Sequence, residues 1–157
     1  MTGRYLSLCG LLAVAGTLCA AALPALNPAL GVVFPDNKAR ELTKQCSRGG
    51  PAHITGTWTP DNKQIAELEI TLVAALSKAD SPADFKVRDF SHLARQYGGL
   101  VDSTHKLIYV NAFTTRDING DWRRHAVMVC DGGPAFFGAE YDPSTKTFAH
   151  FEFNGAP

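Results

Sequence analysis

Apolar positions recur along this chain with two different periods, and the change of period divides it. Between residues 60 and 80 they step by three and four. Ile65, Leu68, Leu72 and Leu76 form one stripe, widened by Ile70 and Val73, with Lys63, Glu67 and Lys78 on the other side. This is the pattern of an amphipathic helix that must lie on something apolar. Thr59 is its expected N-cap, Pro60 fits the first helical position and Asp61 lies in the first turn. After residue 105 the period falls to two. Apolar runs at 106–113, 125–130, 135–141 and 147–153 read as four strands. In the first, Leu107, Tyr109, Asn111 and Phe113 alternate with Ile108, Val110 and Ala112, and two apolar faces suit a central strand. In the last, Ala149, Phe151 and Phe153 face one way, while His150 and Glu152 face the other.

The first half is predicted to be mainly helical. Residues 23–35 hold three prolines and little polarity and read as an extended leader. Asp36 caps a short helix over 37–46, with Ala39, Leu42 and Cys46 on one face and Arg48-Gly49-Gly50-Pro51 as its stop. A short β run at 52–59 follows, weakened by Gly56. Ser81-Pro82-Ala83-Asp84 then opens a second helix over 82–97, presenting Phe90, Leu93, Ala94 and Tyr97, and Gly98-Gly99 ends it. The expected fold is therefore α+β, with N-terminal helices packed on one face of a four-stranded antiparallel β-meander. Residues 36–157 form a single domain on this reading.

The first 22 residues stand apart. Arg4 precedes a run without charge, 6–23, that ends in Ala20-Ala21-Ala22, the form of a secretory signal peptide. An uncleaved anchor is the competing reading, since the run is long enough to span a bilayer. Cleavage after Ala22 removes Arg4, Cys9 and Cys19, leaving 14 cations against 15 anions and two cysteines, Cys46 and Cys130. In a periplasmic or secreted protein these most simply form one disulfide, a cross-link that contributes about 2–4 kcal/mol. A free nucleophilic thiol at Cys130, paired with His125, is the alternative. The even charge balance, 15 basic against 15 acidic residues in the whole chain, offers no footprint for nucleic acid. After signal cleavage nothing else predicts a membrane segment.

Candidate chemistry is sparse. The histidines His53, His92, His105, His125 and His150 lack the i, i+4 helical pairing of a zinc hydrolase, and no C-x-x-C is present. Asp117-Ile118-Asn119-Gly120-Asp121 begins like a calcium loop, but Trp122 and Met128 stand where Gly and Glu are needed. No metal and no other cofactor is therefore expected. There is no G-x-S-x-G elbow and no glycine-rich phosphate loop. Two groups remain. Asp131 and Glu140 could act as a carboxylate pair with a nearby histidine, the basis of an alternative reading as a small periplasmic hydrolase. Against this, Asp before Gly132-Gly133 is ordinary turn chemistry. The aromatic excess is the other group: Trp122, with Arg116 and the turn Asp131, Gly132 and Gly133, would make a binding patch if exposed.

One more observation bears on class. Gly56-Thr57-Trp58-Thr59-Pro60, Gln96-Tyr97-Gly98-Gly99, Ile108-Tyr109-Val110-Asn111, Cys130-Asp131-Gly132-Gly133 and Phe153-Asn154-Gly155 follow one another over the last hundred or so residues. The series resembles a loose group of small exported bacterial proteins, generally described as uncharacterised. Its strand, helix and meander order also looks like a cystatin-type arrangement. What the resemblance implies is export and an α+β fold. The expectation for function is a disulfide-stapled binding domain for a protein or cell-envelope ligand, with enzyme inhibition as one form of that role.

Overall fold

The structure is a computed structural model and describes residues 27–79, 82, 85, 87–103, 105–116 and 118–155. The segment expected to be a signal peptide lies outside these residues, as do Ser81, Ala83 and Asp84 of the expected second helix start. Six strands form one mixed sheet: β1 (Gly31–Val33), β2 (Ile54–Trp58), β3 (Ala94–Asp102), β4 (His105–Phe113), β5 (Phe136–Asp142) and β6 (Thr147–Phe153). The order is β1-β3-β4-β5-β6, with β2 also paired to β3. Only β1 is parallel to its neighbour; the other pairings are antiparallel. The helices are α1 (Asp36–Ala39), which runs on as a 3-10 turn over Arg40–Thr43, and α2 (Asn62–Leu76). Among the described residues no helix is long and apolar enough to cross a membrane. The fold is thus α+β, but the sheet is larger than a four-stranded meander and carries a parallel edge.

α2 lies where its apolar stripe requires. Leu68, Leu72, Val73 and Leu76 are buried against Tyr97, Ile108, Val110, Ala112, Phe137, Ala139 and Tyr141 on one face of the sheet. Its N-cap is Asp61 rather than Thr59: Asp61 accepts from the Gln64 amide at 2.8 Å, and the Gln64 side chain accepts from the Asp61 amide at 3.0 Å. This reciprocal box satisfies two orphan donors. Thr59 is occupied elsewhere, its hydroxyl accepting from the Asp36 amide at 3.1 Å at the start of α1.

The expectation that the helices share one face is corrected. α1 and its 3-10 extension bury Ala39 and Leu42 against Leu100, Leu107 and Tyr109, on the opposite face from α2. The helix expected over 37–46 also stops early. Lys44 leaves helical geometry (φ −80°, ψ 78°), and the Gln45 side chain takes the Leu42 carbonyl at 2.9 Å.

A larger correction concerns 82–97. This stretch holds a 3-10 turn at Val87–His92 and then enters β3, the strand at the centre of the sheet. Residues 94–100 are all buried, so no in-and-out alternation marks the strand in the sequence. Gly98 does not end a helix; it permits close approach. A Cβ there would lie 2.9 Å from Leu42 Cδ1 and 3.2 Å from the Ala39 carbonyl oxygen. β1 likewise falls inside the segment expected to be an extended leader, pairing with Arg95, Gln96 and Tyr97.

In β6 the expected alternation is broken by a bulge. Gly138 pairs with Glu152 but Glu140 pairs with Ala149, so β6 carries an extra residue, and His150 takes a left-handed φ of 50°. Phe148, Phe151 and Phe153 consequently turn toward the core, while Ala149, His150 and Glu152 are exposed.

Candidate ligand-binding face

On the second face of the sheet, residues 118–135 cross the strands without joining them. The strand expected at 125–130 is absent: the chain there has no regular structure and pairs with no strand. Side chains supply the missing ladder. From β3, the Gln96 amide donates to the carbonyls of Trp122 (2.5 Å) and His125 (2.8 Å), and its oxygen accepts from the Val127 amide (3.0 Å). From β4, Asn111 donates to Gln96 Oε1 and to the Val127 carbonyl, both at 2.9 Å. Beyond β6, Asn154 donates to the carbonyls of Val129 (2.7 Å) and Asp131 (2.6 Å). Gln45 also donates to the Val127 carbonyl, at 3.2 Å.

Arg48 ties these amides together. Its guanidinium is 7% exposed and donates to Asn154 Oδ1, Asn111 Oδ1 and the Tyr109 hydroxyl. A Cβ on Gly138 would lie 3.0 Å from Arg48 Nε, so a glycine in β5 leaves the arginine its path. Burial pushes the Tyr109 phenol above its ordinary pKa, against the opposing pull of the Arg48 cation. Two residues before Arg48, Cys46 is disulfide-bonded to Cys130, with Cα atoms 5.2 Å apart and a sequence separation of 84. The expected staple is present, and Cys130 is not a free thiol.

The segment held in this way frames a cleft of about 450 Å3 lined by Ile118, Asp121, Trp122, His125, Met128 and Val129, among others. Trp122 is half-buried: its ring stands edge-on to Phe113 at 5.7 Å, and the Arg123 guanidinium stacks over it at 4.3 Å. Met128 is 59% exposed, one of two large apolar side chains so exposed among the described residues. Trp122, expected at a binding patch, lines this cleft; Met128 was not singled out from the sequence.

The other expected binding residues lie around this cleft rather than in it. Arg116 is exposed in the loop before it, and its amide donates to Thr114 Oγ1 at 3.4 Å. Asp131, Gly132 and Gly133 take successive left-handed φ values of 65°, 85° and 64°. They form no hairpin reversal; the chain enters a 3-10 turn at Gly133–Ala135, and the Gly133 amide donates to the Gly155 carbonyl at 3.0 Å. Asp117 of the calcium-like loop is outside the described residues, and Asp121 pairs with Arg124 at 3.3 Å. Among the described residues no group of three His, Cys, Asp or Glu side chains is placed to hold a metal ion.

Asp131 and Glu140 are not brought into one cleft. Asp131 sits in the turn beside Gly155, past the end of β6, whereas Glu140 lies within β5 opposite Tyr109 and Ala149. Glu140 bonds His150 Nδ1 at 2.9 Å and lines a cleft of about 390 Å3 with Asp102, Tyr109, His150 and Glu152. Among the described residues no serine, threonine or cysteine lines that cleft. Comparison with protein families, with curated proteins and with solved structures finds no match to this chain.

Proposed function

We propose that this protein is an exported binding domain that holds a protein or cell-envelope ligand on its 118–131 face, enzyme inhibition being one form such binding takes. One observation carries the reading. Of the five buried polar or charged residues among those described, four (Arg48, Gln96, Asn111 and Asn154) fix a segment that has no regular structure of its own. Burying an amide or a guanidinium is unfavourable unless it is fully bonded, so such groups are usually few. Here they hold a loop rigid and leave Met128 and the edge of Trp122 in the open. Binding residues are commonly carried on loops held by a rigid scaffold, and pre-organisation reduces the ordering cost of association. The Cys46–Cys130 bridge supports export, because disulfides persist in oxidising compartments.

Site-specific photo-cross-linking tests the reading in the source cells. A benzophenone side chain at Met128 is expected to give a discrete adduct. The same group at Ile70, 76% exposed and on α2 beneath the other face of the sheet, is expected to give none. Equal adducts from both positions, or none from Met128, would remove the proposal.

The hydrolase reading keeps one supporting observation, the 2.9 Å Glu140–His150 contact within a cleft. It loses Asp131 as a partner, and His150 is 76% exposed. A Glu140→Gln variant that lost a measured hydrolysis of chromogenic esters or glycosides would revive it.

A further inference from the structure

The ligand face has two features that narrow what it takes, and both adjoin His125. The first is a set of unbonded backbone groups. Val127 turns its amide and carbonyl inward to Gln96 and Asn111, and the Val129 carbonyl turns inward to Asn154. Ala126 and Met128 alternate with them, and their own N–H and C=O groups have no hydrogen-bond partner among the described residues. Backbone groups left unbonded in this way can pair with the main chain of a second, extended segment.

The second feature is charge. Across His125 from the Trp122 cleft lies another, of about 360 Å3, lined by Phe34, Pro35, Lys38, Arg123, Arg124 and His125. Lys38 donates to the Arg124 carbonyl at 3.3 Å, and Arg123 donates to the Ala29 carbonyl at 2.5 Å. Neither has a carboxylate partner among the described residues. Arg124 has one, Asp121, in a pair whose side chains are 80% and 50% exposed. Cations against an apolar wall attract an anion more strongly than cations in open water.

We propose that this face binds an extended acidic peptide segment. Its backbone pairs with the free N–H and C=O groups of Ala126 and Met128. One apolar side chain enters the cleft beside Trp122 and Met128, and a neighbouring carboxylate reaches Lys38, Arg123 and Arg124. A charged glycan fits less well. Arg123 covers one face of the Trp122 ring, which leaves less of the indole for sugar stacking, and a sugar chain has no main-chain N–H and C=O groups to pair with those of Ala126 and Met128. The inference rests on the ligand-face reading above and names its ligand class.

Random dodecapeptides displayed on phage, selected on the purified protein, test it. Enriched sequences are expected to alternate Asp or Glu with aliphatic or aromatic residues. Binding of the synthetic peptides is expected to fall at least tenfold with Lys38→Glu or Arg124→Glu, and at least tenfold when alternate peptide amides are N-methylated. Circular dichroism and the urea midpoint verify that the variants are folded. Absence of enrichment, or peptides indifferent to both changes, overturns the inference. Dextran sulfate that binds the wild type, and is lost in the same variants while peptides fail, overturns it in favour of an anionic glycan. Either failure alongside a persisting Met128 cross-link leaves the ligand-face reading standing; loss of the cross-link removes both.

Discussion

The guanidinium of Arg48 donates to the side-chain oxygen of Asn111, so a buried cation meets a neutral amide on the sheet face and not a carboxylate. The same guanidinium takes Asn154, so one side chain orients two amides that in turn hold the backbone at 127, 129 and 131. Replacing Arg48 by Met fills similar space but leaves both amide oxygens without their donor. Unsatisfied buried groups cost about 1–3 kcal/mol each. Urea unfolding of Arg48→Met should therefore show a loss of at least about 2 kcal/mol. Arg48→Lys should recover little of it, because an ammonium lacks the planar fork that reaches two acceptors at once. Wild-type stability in Arg48→Lys would show that charge, not geometry, matters here.

The disulfide should act on the same segment. Cys46→Ser with Cys130→Ser opens a loop of 84 residues, and the expected loss is about 2–4 kcal/mol. The side-chain ladder from Gln96 and Asn111 does not depend on the bridge, so the 125–129 segment should stay docked at moderate temperature. Hydrogen exchange at the Val127 amide, bonded to Gln96 Oε1 at 3.0 Å, reads this directly. Immediate exchange there in the double variant would mean that the cross-link, and not the amides, holds the segment.

How much of this was legible depends on where each bond's partner comes from. α2 and β4 announce themselves because their own side chains keep a clean period, β6 is found although its bulge breaks the alternation, and the pairing of Cys46 with Cys130 follows from there being no other cysteine after residue 22. β3 did not. Phe90, Leu93, Ala94 and Tyr97 fall at helical spacing, and Arg95 and Gln96 look like a solvent face, yet both are 0% exposed. Arg95 is buried because Glu69 of α2 receives it at 2.9 Å, and Gln96 because it bonds the crossing segment. Both partners are remote in sequence. The segment at 125–130 has a strand's apolar alternation, but its partners are amides from residues 96, 111 and 154. The one local signal was Asn111, a polar residue in an otherwise apolar strand.

Asp131 can be separated from function by its backbone. A non-glycine residue at φ 65° is in the left-handed region, which asparagine tolerates as well as aspartate. Asp131→Asn should leave stability within about 0.5 kcal/mol, and Asp131→Val should cost about 1–2 kcal/mol. A carboxylate needed for chemistry would give the opposite ranking in any activity assay, Asn failing with its fold intact. His150→Ala should also be mild, since an exposed pair such as His150–Glu140 contributes under about 1 kcal/mol.

The tyrosines set the alkaline limit. Tyr97, Tyr109 and Tyr141 are the tyrosines after residue 22, and all three are buried. Burial is the main cause that raises each phenol's pKa. Glu69 adds to it at Tyr97 against the opposing Arg95, which leaves Tyr97 well above its usual value, and Glu67 adds to it at Tyr141. In the unfolded chain the same phenols lose their protons near pH 10. Above that pH the unfolded state binds fewer protons than the folded one, so stability falls as pH rises; below it the contribution is intact. Titration of the protein lacking its first 22 residues, followed at 295 nm, should therefore show no phenolate while the circular dichroism is native. Phenolate should then appear in one cooperative step together with unfolding, above pH 10. A tyrosine that ionises near pH 10 in a still-folded protein would show that at least one of the three rings is open to solvent, and with it part of the packing under α2 or beside Arg48.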